Sequence, residues 1–105
     1  MKKIIFIALI VPAILFACKK SSKDTTPPVI KLKGDSIVYS QKDSTYVDAG
    51  ATATDDVDGD ISSKIVVSNP VDIHHENTFY ISFNVADNAG NNAVTVKRKV
   101  IVTIF

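Results

Sequence analysis

Hydrophobic and polar residues alternate with a period of two along much of the chain. The clearest stretch is Phe79, Ile81, Phe83 and Val85, interleaved with Tyr80, Ser82, Asn84 and Ala86. Successive side chains of a strand point to opposite faces, so this stretch has one large apolar face and one polar or small face. The last segment repeats the pattern. Val94, Val96, Val100, Val102 and Ile104 share a face with Arg98, while Thr95, Lys97, Lys99 and Thr103 lie opposite, with Ile101 as the exception. Shorter strands are predicted at Val29–Leu32, Ile37–Tyr39, Ala51–Thr54 and Ile65–Val67. β-Branched residues abound, and no window has helical spacing. Turn signals recur at Lys33-Gly34-Asp35, Asp48-Ala49-Gly50, Asp58-Gly59-Asp60, Asn69-Pro70 and Asn88-Ala89-Gly90-Asn91. Many short strands punctuated in this way predict an all-β antiparallel sandwich of about seven strands.

The two longest strands constrain each other. For their apolar faces to coincide, the numbers of directly opposed residues must sum to an odd value. Asp87 opposite Asn92 satisfies this and leaves Asn88 to Asn91 as the loop. Phe83 then faces Val96 and Ile81 faces Arg98. Arg98 is the one charge on an apolar face. It is expected at the rim, with a buried stem and a wet head, or else paired with a carboxylate.

The first residues follow a different pattern. Lys2 and Lys3 precede an apolar run from Ile4 to Ala17, broken only by Pro12. At 14 residues the run is shorter than the roughly 20 that a membrane-spanning helix needs, and it has the form of a secretory signal. Its end, Leu15-Phe16-Ala17-Cys18, resembles the lipobox of bacterial lipoproteins. That resemblance implies cleavage after residue 17, and diacylglycerol and a further acyl chain on Cys18. It implies a partner in membrane lipid, with palmitate-type acylation. Cys18 is the only cysteine, so no internal disulfide is possible. Lys19 stands where an Asp commonly marks inner-membrane retention, which implies the outer membrane.

Residues 18–26 are polar after the cysteine and are expected to form a flexible tether. Pro27-Pro28 forces an extended backbone and marks the boundary of a domain running over 27–105. Charge adds little. The chain has 12 basic and 11 acidic residues, and loss of Lys2 and Lys3 with the signal leaves it near −1. No basic excess points to nucleic acid.

Three blocks together resemble a known family: Asp24-Thr-Thr-Pro-Pro-Val-Ile, Tyr46-Val-Asp-Ala-Gly-Ala-Thr-Ala-Thr-Asp-Asp-Val-Asp-Gly-Asp-Ile, and Val85-Ala-Asp-Asn-Ala-Gly-Asn. They resemble the bacterial immunoglobulin-like domain of pesticidal crystal proteins and surface proteins, and the related hyalin-repeat domains. The resemblance implies an extracellular Ig-like sandwich with no catalytic activity. Asn77 stands where that family usually has Gly, and Phe79 and Phe83 replace tyrosines.

The acidic loop is the candidate site. Asp55, Asp56, Asp58 and Asp60 crowd into six residues, and Gly59 permits a tight turn. Hard oxygen ligands on a flexible loop suit calcium. The strands before this loop and before Asp87 are expected to run toward the same end, which would bring Asp87 to it. Asx turns explain the spacing equally well. The spacing is not that of an EF-hand, because Ile61 falls where the motif requires Gly. His74 and His75 are adjacent and would point apart on a strand, so they do not form a metal site. Tyr80 lies on the polar face and is the aromatic to test for ligand contact. No catalytic motif is present. The expected role is a membrane-anchored, non-catalytic module for adhesion, protein contact or envelope structure, with an unidentified protein or glycan as partner. The alternative is a carbohydrate-binding accessory lipoprotein of a glycan-uptake system.

Overall fold

The computed structural model describes residues 23–105. The expected signal segment 1–17, the expected lipidation site Cys18 and residues 19–22 of the expected tether lie outside the described residues. Among the described residues there are seven strands: β1 (Val29–Leu32), β2 (Ile37–Gln41), β3 (Ala51–Asp55), β4 (Gly59–Asp60), β5 (Val66–Ser68), β6 (Asn77–Asn84) and β7 (Val96–Thr103). They form an Ig-like sandwich of two sheets, a three-stranded one in the order β1-β3-β4 and a four-stranded one in the order β2-β7-β6-β5. The pairing is antiparallel except that β2 runs parallel to β7, with Ile37 opposite Lys99 and Gln41 opposite Thr103. The expected all-antiparallel arrangement is corrected there. The chain leaves the first sheet after β1, turns at Gly34 (φ 76°), and joins the second sheet.

The alternation predicted from sequence sets the core. Ile81, Phe83 and Val85 from the β6 side meet Val100 and Val102 of β7, and Ile30, Ala53 and Ile61 close the cavity from the other sheet. The β6–β7 register is odd-summed, with Phe83 opposite Val96 and Ile81 opposite Arg98. The hairpin tip departs from it. Ala86, not Asp87, bridges Asn92, and the Asp87 amide donates to the Asn91 carbonyl at 3.0 Å. Between the Phe83–Val96 and Ala86–Asn92 pairs, β7's side carries one residue more than β6's. This bulge-like step restores the faces within the ladder. It also inverts one expectation. Ala93 packs on the core while Val94 is turned out, 83% exposed, so the regular strand begins at Val96. Ile104 lies past the strand and is exposed.

Arg98 is not a rim residue; it is 1% exposed. Its Nε donates to the Asp35 carbonyl at 2.8 Å, and Nη1 donates to Asp48 Oδ2 at 2.5 Å. Nη2 donates to the carbonyls of Lys33 and Gly50. The guanidinium carbon lies 5.8 Å from the centroid of the Phe83 ring, in cation–π range. Asp48 is held in turn. Its Oδ1 accepts from Tyr46 Oη at 2.6 Å, and its Oδ2 accepts from the Gly50 amide at 2.8 Å.

Burial opposes ionisation of Asp48, but hydrogen bonds from Tyr46, Arg98 and the Gly50 amide outweigh it and hold the carboxyl below its usual range. Burial, together with the hydrogen bond to Asp48 and its charge, pushes the Tyr46 phenol up to about 12. Asp48 is depressed in the fold, so its contribution is present above about pH 4 and lost as pH falls through the folded value. Tyr46 is raised, so its contribution is present below about pH 10 and lost as pH climbs toward 12. Urea midpoints measured across pH should fall at both extremes, and Tyr46→Phe should flatten the alkaline fall. Removing one partner of a buried pair strands the other charge at a cost of about 3–5 kcal/mol. Asp48→Ala should therefore lower the melting temperature by about 12 °C or more. A shift of only a degree or two in calorimetry would contradict this role for the pair.

Candidate functional site

Strand parity carries carboxylates to one end of the sandwich. Ala51, Ala53 and Asp55 share the inward side of β3, and Asp87 continues the inward series Ile81, Phe83, Val85. Both carboxylates are therefore buried, Asp55 at 7% and Asp87 at 6% exposure. β3 and β6 run toward this end and β1 starts from it, as its pairing of Val29 with Thr54 shows. The start of β1 brings a third carboxylate, Asp24. One oxygen from each of Asp24, Asp55 and Asp87 lies within 4.8 Å of the others.

The surrounding turns fix each group. Asp55 Oδ2 accepts from the amides of Val57 and Asp58 at 3.1 and 3.0 Å, tightening the β3–β4 turn in which Gly59 takes φ 76°. Asp87 accepts from the Asn91 amide at 2.8 Å and from Asn91 Nδ2 at 2.9 Å. The same Nδ2 donates to the Asp24 carbonyl at 2.9 Å, tying Asp24 to the β6–β7 turn. Asp24 Oδ1 accepts from the Thr26 amide at 3.0 Å. The Thr26 bond favours ionised Asp24, but lost hydration and the neighbouring Asp87 and Asp55 outweigh it and raise its pKa. Lost hydration raises that of Asp87, but the two bonds from Asn91 outweigh it and bring it below the usual range.

Of the residues expected in the acidic site, the structure brings together Asp55 and Asp87. Asp58 bridges the two turns, its Oδ2 accepting from the Asn88 amide at 2.8 Å. Asp56 is exposed, and Asp60 bonds locally ahead of the 3-10 turn Ser62–Lys64, accepting from the Ser62 hydroxyl at 2.6 Å and its amide at 2.9 Å. Asp56, Asp58 and Asp60 all lie outside the three-carboxylate cluster. The local Asx-turn reading holds for Asp60 and for one oxygen of Asp55. Asp24 falls in the segment expected to be a flexible tether, yet it is half-buried and bonded to the domain. The signal lay in its place at the head of the Asp24-Thr-Thr-Pro-Pro block. His74 and His75 contact different carboxylates, Asp43 at 2.9 Å and Asp72 at 2.7 Å.

Two other surfaces stand out. An apolar groove of about 300 Å³ runs between Pro27, Pro28, Val29 and Ile30 on one side and Val94 and Val96 on the other. The outer face of the four-stranded sheet carries Ile37, Tyr39 and Tyr80, exposed by 51, 64 and 50%. Ile101 and Lys99 lie between these strands, Ile101 opposite Tyr39 and Lys99 opposite both Ile37 and Tyr80.

The two-sheet topology defines an Ig-like domain. Residues 30–102 match the model of the bacterial surface protein Ig-like domain family, and the chain belongs to that family. No curated protein matches the chain. Among solved structures, a lipoprotein from Bacteroides thetaiotaomicron is similar with a TM-score of 0.63 at 19% identity. The match covers 73% of this chain and 38% of the other. The structure of CBM51-2 in complex with GlcNAc and INT domains, from Clostridium perfringens ZmpB, is similar with a TM-score of 0.58 at 30% identity. That match covers 74% of this chain and 17% of the other. A structure of the M60 catalytic domain with CBM51-1 and CBM51-2 from the same protein gives 0.57 at 27%, over 74% of this chain and 8% of that one. Ig-like domains of this kind are typically non-catalytic, and the family is one of bacterial surface proteins. Among the described residues no helix is long and apolar enough to cross a membrane.

Asn91 is the link between Asp24 and the β6–β7 turn. Asn91→Ala should loosen the segment before β1 and speed tryptic cleavage after Lys23 several-fold, read by mass spectrometry. An unchanged rate would mean that Asp24 is held without it.

Proposed function

We propose that the protein is a lipid-anchored, non-catalytic module of the bacterial envelope that meets a partner through the outer face of its four-stranded sheet. The observation that carries this reading is that face itself. Tyr39 and Tyr80, with Ile37, are exposed on one side of a sheet whose other side packs the core. Aromatic side chains combine a large apolar surface with a polar tip, and they are enriched where proteins bind. The anchor is Cys18, acylated after removal of residues 1–17, and Lys19 directs the protein to the outer membrane. The polar segment 18–26 is the tether of this reading, with Asp24 docked on the domain, and adhesion, protein contact or envelope structure is the role.

A carbohydrate-binding accessory of a glycan-uptake system is the second reading. It is supported by the two tyrosines sharing a face, where sugar rings could stack, and by the likeness to a structure in which CBM51-2 holds GlcNAc. Two experiments test these statements. Cys18→Ser should move the protein from the membrane pellet to the soluble fraction, and acylated peptide should disappear from mass spectra. A photo-crosslinking residue at position 80 should capture a partner in cells, whereas one at Thr54, on the outside of the other sheet, should not. Equal capture at both positions would remove the sheet face from the proposal. Glycan-array binding that is lost in Tyr80→Ala would move the assignment to the second reading.

A further inference from the structure

Asp24, Asp55 and Asp87 come from three separate segments and converge at one end of the sandwich. Among the described residues, none of the three is in an ion pair with Lys, Arg or His. Two of them also leave an oxygen unused. Asp55, more than nine-tenths buried, spends Oδ2 on the Val57 and Asp58 amides, while its Oδ1 is buried without a hydrogen-bond partner. Asp24 repeats the arrangement, with Oδ1 on the Thr26 amide and Oδ2 buried without a partner. Buried polar atoms are nearly always paired, and an unpaired carboxylate oxygen in a low-dielectric site is costly. Two such oxygens beside a third carboxylate mark the place of a missing positive charge.

The geometry points to a divalent-cation site of the calcium class formed by Asp24, Asp55 and Asp87. The donors are all hard carboxylate oxygens, as calcium prefers. Ligands at about 2.3–2.6 Å from one ion can stand at most about 5 Å apart, and these three oxygens lie within 4.8 Å of one another. Magnesium binds at about 2.1 Å in strict octahedra and keeps its waters, so three protein carboxylates on separate segments suit it less. Metals that favour nitrogen or sulfur have no such donor in the cluster. The remaining coordination positions are left for water. The ion joins the β3–β4 turn, the β6–β7 turn and the residue that leads into Pro27-Pro28. It therefore staples the incoming segment to the domain and sets how the sandwich is carried on whatever precedes it. The site is distinct from the partner face, and either can fail without the other.

The test is thermal melting and calorimetric titration of the mature chain in detergent, stripped with EGTA and then supplied with calcium or magnesium chloride. For a Kd near 10⁻⁴ M, typical of extracellular calcium modules, about 10 mM calcium is a hundredfold excess. It should raise the melting temperature by about 10 °C or more. Asp55→Asn and Asp87→Asn should abolish the rise, and Asp56→Asn and Asp60→Asn should keep it. Because Asp55 and Asp87 are buried, Asp24→Asn is the safer variant. It should weaken calcium at least tenfold while leaving melting in EGTA unchanged or higher. No rise at about 10 mM calcium, an equal rise with magnesium, or wild-type affinity in Asp24→Asn would each overturn the site.

Discussion

The guanidinium of Arg98 is the contact on which the two-sheet arrangement depends. Three links carry the chain between sheets, and two of them meet at Arg98, one through Lys33 to Ser36 and the other through Lys42 to Gly50. Links of this kind normally stay at the surface, because a buried one would carry backbone groups with no partner. Here Arg98, in the middle of β7, donates to carbonyls of Lys33 and Asp35 from the first link and to Asp48 and Gly50 from the second. The Lys33 amide also donates to the Gly50 carbonyl, joining the links to each other. An apolar side chain at this place would fill the volume and leave the Lys33 and Asp35 carbonyls unpaired. The planar fork of arginine, with five donors, serves several acceptors at once, which a lysine ammonium on a flexible stem does not.

The opposite polarity is used at the far end. There the inward parity of β3 and β6 ends on carboxylates, not on apolar residues, and the turns beyond them fold back to supply amides. Several of the polar residues that carried the family resemblance have a bond to account for them. Tyr46, Asp48 and Gly50 belong to the Arg98 network, and Asp24, Asp55, Asp87 and Asn91 belong to the acidic end. The blocks therefore hold polar contacts that position loops beside core residues such as Ile30, Ala53, Ile61 and Val85.

Alternation with a period of two was enough to place the core strands, because burial on one face leaves a trace in every second residue. It placed Ile81, Phe83, Val100 and Val102 correctly and gave the ladder register of β6 against β7. It failed at Val94, since one extra residue in the hairpin reverses every side chain before it and leaves no local mark. The two-residue strand β4 was hidden for a similar reason: Gly59 and Asp60 read as a turn, and only pairing with Thr54 and Asp55 makes them a strand. For Arg98, the choice between rim and buried pair turned on Asp48, fifty positions earlier. The acidic end was half legible. The runs of Asp announced a loop, but the member that completes the cluster, Asp24, is held by Asn91 across 67 positions of sequence.

The parallel pairing of β2 with β7 has a consequence for how the chain acquires its fold. β7 is the central strand of its sheet beside β6, the source of Arg98, and the last strand to be synthesised. Until it emerges, β2 has no neighbour in its sheet, the two links have no donor, and Val100 and Val102 are missing from the core. Folding dominated by such distant pairings is slow, because the loop entropy is lost before the contacts that reward it can form. The sandwich can therefore close only once β7 is in place, however early its other strands are made.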